Sequence, residues 1–257
     1  MDIKKESVNL VDLLTGAHAK LRTSFSQIRF DNRPPRMRLF LTSFLSIYSN
    51  ISSWIVLYKI GQDQQAQVLL RSVLESYADL INLRRHEDYA DRLQYGVAKS
   101  HLKILTQLAG LGRNPPPSAE EHIKMLSSVV THAKNRNIKP LTVKEKFELA
   151  GLIEYYVAGY CHWSSFAHND CIGALFDCVQ MDVPVVDTHY YRHPDRNMNF
   201  VQVHVACEVL ENSAHFVAEF VGGYDEGLYS MFCSDCQMIR AHLTCISSAI
   251  EEGNATP

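Results

Sequence analysis

The sequence contains none of the short motifs that identify a nucleotide-binding or hydrolase fold directly. It has no glycine-rich phosphate loop, no G-x-S-x-G nucleophile elbow and no dinucleotide-binding fingerprint. The segment Gly110-Leu-Gly112 is expected to end a helix rather than to hold a phosphate. We therefore predict no cofactor, and a functional site has to be sought among dispersed polar side chains.

A strong excess of charge of one sign is also missing. The chain has 25 lysines and arginines against 28 aspartates and glutamates, a formal net charge of -3. A protein that coats nucleic acid would be basic, so contact with RNA or DNA requires a local patch. Solvated loops and helix C-termini favour basic residues too, so the richer stretches do not by themselves indicate binding. Those stretches are Lys20, Arg22, Arg29, Arg33, Arg36 and Arg38, and Lys134, Arg136, Lys139, Lys144 and Lys146.

Signals for export are absent as well. The first residues contain no apolar run followed by a small-residue cleavage site. The seven cysteines are odd in number and scattered through a long chain, which does not fit a secreted disulfide framework. We expect reduced cysteines and a soluble cytoplasmic protein.

One segment has the length of a membrane span. Residues 39–58 carry no formal charge, and about 20 apolar residues suffice to cross a bilayer. Polar residues nevertheless recur at helical spacing along it, which favours a core helix packed by neighbours over a lipid-facing one. We therefore predict no membrane contact. The polar residues are Thr42, Ser43, Ser46, Ser49, Asn50 and Ser53.

Helical periodicity dominates the rest of the chain and predicts about eight helices. Gly61 is a natural end for the core helix at 37–60, and capping boxes at 118–121 and 142–145 mark two helix starts. Residues 180–197 contain prolines and β-branched residues and predict an extended or hairpin segment. The fold class is thus an all-α multi-helix bundle. We expect a single domain over 1–257, with an N-terminal helical arm at 1–32 as an alternative description.

Two polar patterns stand out on otherwise apolar helices. Arg71 and Glu75 lie one turn apart, which allows an intrahelical ion pair. Tyr160, Ser164 and His168 follow one another at intervals of four and share one helix face. A hydroxyl one turn before an imidazole suits proton transfer or phosphate contact. The same tyrosine could equally hold a core together through its hydroxyl, and the histidine could cap a helix end.

These patterns resemble a family of uncharacterised prokaryotic helical proteins, known only as a domain of unknown function, with an R-x-x-x-E helix and a later Y-x-x-x-S-x-x-x-H helix. The resemblance spans roughly residues 35–220. The family is sometimes grouped with HEPN-like (higher eukaryote and prokaryote nucleotide-binding) proteins, which include ribonucleases of toxin and phage-defence systems. The resemblance implies a homodimer. It also implies one cluster between two packed helices, formed by Arg71, Glu75, Tyr160, Ser164 and His168.

The resemblance also implies a role for each residue. His168 would act as general acid/base or contact the phosphate, Arg71 would stabilise phosphate charge, and Glu75 would orient Arg71. Ser164 and Tyr160 would be supporting hydrogen-bond donors. Catalytic HEPN ribonucleases carry an arginine four to six residues before the histidine, and this chain has none there. Arg71 on another helix, or a dimer partner, would have to supply the cation.

We therefore expect that the protein binds or cleaves RNA or a nucleotide in stress or phage defence. The candidate activity is that of a metal-independent ribonuclease. One alternative is a non-catalytic helical interaction or scaffold module, in which the cluster is a buried polar network. A second alternative is a metal-dependent hydrolase using His168 and Asp170. The spacings His189-x-x-x-His193 and Cys233-x-x-Cys236 are weak metal signals, so no metal ligand is predicted.

Overall fold

The computed structural model describes residues 3–30, 34–110, 117–167 and 196–251. The helices are α1 (Ile3–Ser24), α2 (Pro35–Lys59), α3 (Asp63–Arg85), α4 (Tyr89–Gly110), α5 (Pro117–Asn135), α6 (Val143–Ala150), α7 (Ile153–Tyr155), a π-helical turn (Tyr156–Tyr160), α8 (Cys161–Ala167), α9 (Arg196–Ala218) and α10 (Glu226–Glu251).

The all-α bundle predicted from the sequence is confirmed. Within the described ranges no strand occurs, and an antiparallel bridge joins Arg29 to Gly222. Residues 168–195 lie outside the described part of the chain. This gap contains most of the predicted extended or hairpin segment at 180–197, whose last two residues begin α9.

Local signals placed several helix ends correctly. Gly61 follows α2 with φ 75° and Gly151 ends α6 with φ 73°, a left-handed conformation that glycine adopts without a Cβ penalty. The Thr142–Glu145 capping box is formed at the start of α6, with both reciprocal hydrogen bonds present.

Other ends differ from the prediction by a few residues. Apolar periodicity predicts a first helix from about residue 7 to 29, but α1 stops at Ser24 because the chain then turns to pair Arg29 with Gly222. Asp63 is of a type that caps helices and would be expected just before α3, but it is already the first residue of α3. α5 begins at Pro117, so Ser118 is helical and not the cap.

α2 and α3 form an antiparallel pair at the centre of the fold. Arg36 near the start of α2 donates to the carbonyls of Leu83 and Arg84 near the end of α3, at 2.5 and 2.7 Å. Ser46 and Ser76 hydroxyls meet at 3.0 Å further along. α2 is long and apolar enough to cross a membrane by length and composition, and one of its faces packs inside the bundle as predicted for a core helix.

α1, α9 and α10 complete this side of the bundle. α1 runs beside α10, where Lys20 pairs with Asp235 at 2.5 Å, and α9 packs against α1, α2, α3 and α10. Leu10 and Leu14 on α1 are fully buried, so α1 is part of the common core.

α3 lies between this half and the elements from α4 to α8. α6, the π-helical turn and α8 pack against α3, while α5 packs against α4. The fully buried Phe147 and Trp163 come from α6 and α8. This packing brings residues near 160 against the middle of α3.

Candidate functional site

The first part of the site is an ion pair on α3. Arg71 Nη2 lies 3.2 Å from Glu75 Oε1, with side-chain exposures of 22% and 34%. The spacing of four residues places both side chains on one helix face, and the sequence anticipated this pair. Both groups are half-buried, because α3 is covered by the π-helical turn and α8.

Tyr160 joins this pair from a segment about ninety residues away. Arg71 Nη2 donates to Tyr160 Oη at 3.0 Å, and the guanidinium carbon lies 5.1 Å from the centre of the tyrosine ring. The ring itself is buried, with 7% of Tyr160 exposed. The structure thus brings together three of the five residues named from the sequence.

The π-helical turn gives Tyr160 its position. Tyr156 and Tyr160 stack with ring centroids 5.5 Å apart, and Phe147 packs against both rings. A Cβ atom on Gly159 would lie 3.0 Å from Leu74 Cδ1, so the absence of a side chain lets this turn approach α3 closely. Short π-helical turns are frequent at functional sites.

Ser164 has a different role from the one expected. Its hydroxyl donates to the backbone carbonyl of Tyr160 at 2.7 Å, one turn earlier on the same helix. The hydroxyl proton is therefore donated within the helix and is not directed at the Arg71 cluster. Ser164 acts on the cluster through the backbone that carries Tyr160.

His168 lies outside the described residues, directly after the end of α8 at Ala167. The same holds for Asp170, His189 and His193, which the metal hypotheses would need.

The electrostatics of the cluster keep the guanidinium charged. Burial works against the charged form of Arg71, but the hydrogen bond to Tyr160 and the Glu75 carboxylate outweigh it and raise the pKa of Arg71. Burial raises the pKa of Tyr160, which Arg71 opposes and Glu75 reinforces, so the phenol stays protonated at neutral pH.

Several buried polar atoms near the cluster have no hydrogen-bond partner. Arg71 Nε is one of them, and Gln67 Oε1, one helical turn earlier, is another. Trp163 Nε1 on the adjoining α8 is a third. Buried polar atoms are normally paired, so unpaired ones indicate a ligand, a water molecule or a strained site.

Sequence reasoning missed a second polar cluster on α3. Asp79 lies one turn beyond Glu75 and accepts from Tyr89 Oη at 2.5 Å, while Lys146 Nζ lies 2.9 Å from the same carboxylate. The four-residue spacing between Arg71 and Glu75 continues to Asp79, and this spacing could have indicated that Asp79 is also part of a polar cluster.

Metal ligation finds no support among the described residues. They contain no group of three or more histidine, cysteine or acidic side chains that could hold an ion. Cys233 and Cys236 lie on α10 as free thiols, and Cys236 is buried beside Cys207. The hydrogen bond with Cys207 and burial raise the pKa of Cys236, which disfavours the thiolate that binds metals.

Several residues in the two basic stretches have structural partners. Lys20 pairs with Asp235, Arg136 with Asp91, and Lys146 with Asp79. Arg36 donates to two backbone carbonyls of α3. These contacts fit the expectation that basic stretches need not bind nucleic acid.

The sequence profile of a family of unknown function (DUF5677) matches residues 37–182. This range is more than half of the chain. The chain belongs to this family. All five residues named from the sequence lie inside the range matched by DUF5677. No curated protein and no solved structure matches the sequence.

Proposed function

We propose that this DUF5677 protein binds the phosphate group of RNA or of a nucleotide at Arg71, and that His168 completes the site for cleavage. The observation that carries the proposal is the charged Arg71 guanidinium held by Glu75 at 3.2 Å and Tyr160 at 3.0 Å with 22% of its side chain still exposed. A fixed, partly desolvated guanidinium suits recognition of phosphate oxygens.

The roles of the residues follow from these contacts. Glu75 and Tyr160 both contact Nη2, which fixes the plane of the guanidinium, while Nε is left without a partner. Nε is buried, so a phosphate oxygen would meet the part of the guanidinium that stays exposed. His168 would then accept the proton of the attacking hydroxyl or donate a proton to the leaving oxygen, as a metal-independent ribonuclease requires.

The HEPN-like resemblance supports two further parts of the proposal. A homodimer would bring a second copy of the cluster, or a second cation, to the substrate. The setting would be stress or phage defence in the cytoplasm. Analytical ultracentrifugation at several protein concentrations tests the dimer, and a monomer at all of them would remove it.

The test of activity is incubation with total RNA. We expect cleavage by the wild type and its loss in His168→Ala and Arg71→Ala. Arg84→Ala is a matched control, since Arg84 is also on α3, pairs with Glu219 at 2.8 Å and lies 4.4 Å from the Phe216 ring. If the wild type neither cleaves nor binds RNA or nucleotides, the proposal is wrong.

A second candidate function is a helical interaction module in which the same cluster fixes helix register. It is favoured by the Ser164 hydrogen bond within its own helix and by the burial of the Tyr160 ring. In that case the Arg71→Met/Glu75→Met double variant should be as stable as the wild type in urea, because apolar residues can replace a half-buried ion pair. It would also keep every binding property, whereas the phosphate-binding proposal requires that RNA or nucleotide binding is lost.

A further inference from the structure

A separate cavity of about 690 Å³ lies between α4 and the segment that leads into α6. Its apolar walls are formed by Leu93 and Val97 on α4 and by Pro140, Leu141 and Val143 on the opposite side. Clefts of about 300–1,000 Å³ are typical of small-molecule sites. Neither Arg71 nor Tyr160 is among its lining residues, so this cavity is distinct from the site on α3.

Four cationic side chains line the cavity: Arg92, Lys99, Lys103 and Lys146. No carboxylate occurs among the lining residues in the described part of the chain. Such a one-sided distribution attracts anions, most strongly where the walls exclude water.

Two of these cations form ion pairs with carboxylates that are not among the lining residues. Lys146 Nζ lies 2.9 Å from Asp79, and Arg92 Nε lies 2.8 Å from Asp88. Lys99 and Lys103 have no ion-pair partner in the residues that the structure describes. The cavity therefore retains an excess of two positive charges, from Lys99 and Lys103, which lie one turn apart on α4.

We propose that this cavity binds a phosphorylated small molecule with an apolar or aromatic body. A phosphate monoester carries about -1.5 to -2 charges at neutral pH, which matches the excess from Lys99 and Lys103. The body of the ligand would pack between Val97 and Leu141. A cleft of this size accommodates a small molecule, whereas a polymer would need a longer groove.

The probe for this chemistry is 1-naphthyl phosphate, titrated into the full chain by calorimetry. We expect binding that weakens with added salt. Inorganic phosphate lacks the aromatic body and 1-naphthol lacks the charge, so each should bind at least about tenfold more weakly.

Variants locate the site. Lys99→Ala/Lys103→Ala should weaken binding of 1-naphthyl phosphate by at least about tenfold. Lys134→Ala/Lys144→Ala removes the same charge from exposed positions outside the lining and should leave the affinity unchanged. Val97→Trp, at a position 47% exposed, should block the cavity without disturbing the core.

Three results would overturn the proposal. The first is no binding of 1-naphthyl phosphate, or equal binding of 1-naphthol. The second is unchanged affinity in Lys99→Ala/Lys103→Ala. The third is loss of affinity in Arg71→Ala instead, which would assign the probe to the site on α3. Because the two sets of variants affect different sites, failure here and failure of the ribonuclease proposal are distinguishable.

Discussion

Two clusters along α3 combine the same three chemical groups: a carboxylate, a cation and a tyrosine hydroxyl. In the first, Arg71 and Glu75 both belong to α3, and Tyr160 is added by the π-helical turn. In the second, α3 contributes Asp79 alone, while Lys146 comes from α6 and Tyr89 from α4. The first cluster thus joins two elements and the second joins three helices.

The tyrosine hydroxyl has a cation as a partner in the first cluster only. Tyr160 accepts a hydrogen bond from a cation, whereas Tyr89 donates one to a carboxylate. The carboxylates are also buried to different extents, since 15% of the Asp79 side chain and 34% of that of Glu75 are exposed, while the cations Lys146 and Arg71 are nearly equal at 21% and 22%. We infer that the Asp79 cluster mainly stabilises the fold, because it joins three helices and its carboxylate is the more deeply buried of the two.

The largest expected effect is on stability when Asp79 is removed. Asp79→Ala leaves Lys146 and Tyr89 without their shared acceptor inside the protein, and breaking such a buried pair costs about 3 kcal/mol. Urea denaturation measures this loss. Glu148→Ala is the control, because Glu148 pairs with Lys144 at the surface and its loss should be hardly measurable. A loss from Asp79→Ala no larger than that of Arg71→Ala would remove the proposed difference between the clusters.

Alkaline pH should separate the two tyrosines. Burial and the Asp79 carboxylate raise the pKa of Tyr89, and burial raises that of Tyr160 although Arg71 opposes it. The folded-state pKa values are raised, so the stabilisation is complete below the ordinary tyrosine pKa of about 10. Above it the unfolded chain ionises first, and stability falls with rising pH until the folded protein also ionises.

Replacing Tyr89 with phenylalanine should therefore flatten this fall. One pH unit above the unfolded pKa, the titration of Tyr89 accounts for about 1.4 kcal/mol of lost stability in the wild type. Tyr89→Phe should remove this contribution and Tyr160→Phe a smaller one, as measured by urea denaturation at neutral and alkaline pH. The rest of the fall should remain, because burial also raises the pKa values of Tyr155 and Tyr229. Equal effects of the two substitutions would contradict the difference in their surroundings.

A smaller effect on stability is expected where the π-helical turn approaches α3 closely, a contact on which only the first cluster depends. Gly159→Ala places a Cβ against the fully buried Leu74 and Trp163, at 3.0 and 3.3 Å. Overpacking of this kind should cost about 1 kcal/mol and displace Tyr160 from Arg71. Gly16→Ala on α1 is the control: a Cβ there meets nothing within 4 Å, so helix propensity alone should stabilise the protein. If Gly159→Ala is also stabilising, Gly159 does not hold the cluster in place.

The sequence predicted the fold class and several helix ends, but only part of the first cluster and none of the second. Apolar periodicity and the Thr142–Glu145 capping box are local patterns, so they can be read without knowing how the helices pack. The Arg71–Glu75 pair could be found for the same reason. Tyr160 was joined to it through a resemblance to a family, and the Asp79 cluster was missed because its members come from three helices.

Periodicity, capping residues and the four-residue spacing on α3 were therefore determined by the sequence itself, since each depends on neighbours within one or two helical turns. Tertiary structure decided the rest: that Gly159 lets Tyr160 reach Arg71, that Lys146 meets Asp79, and that two lysines of α4 line a cavity with no carboxylate among its described lining residues. These contacts join residues far apart in the chain, and they exist only because burial of the common apolar core fixes the helices against one another.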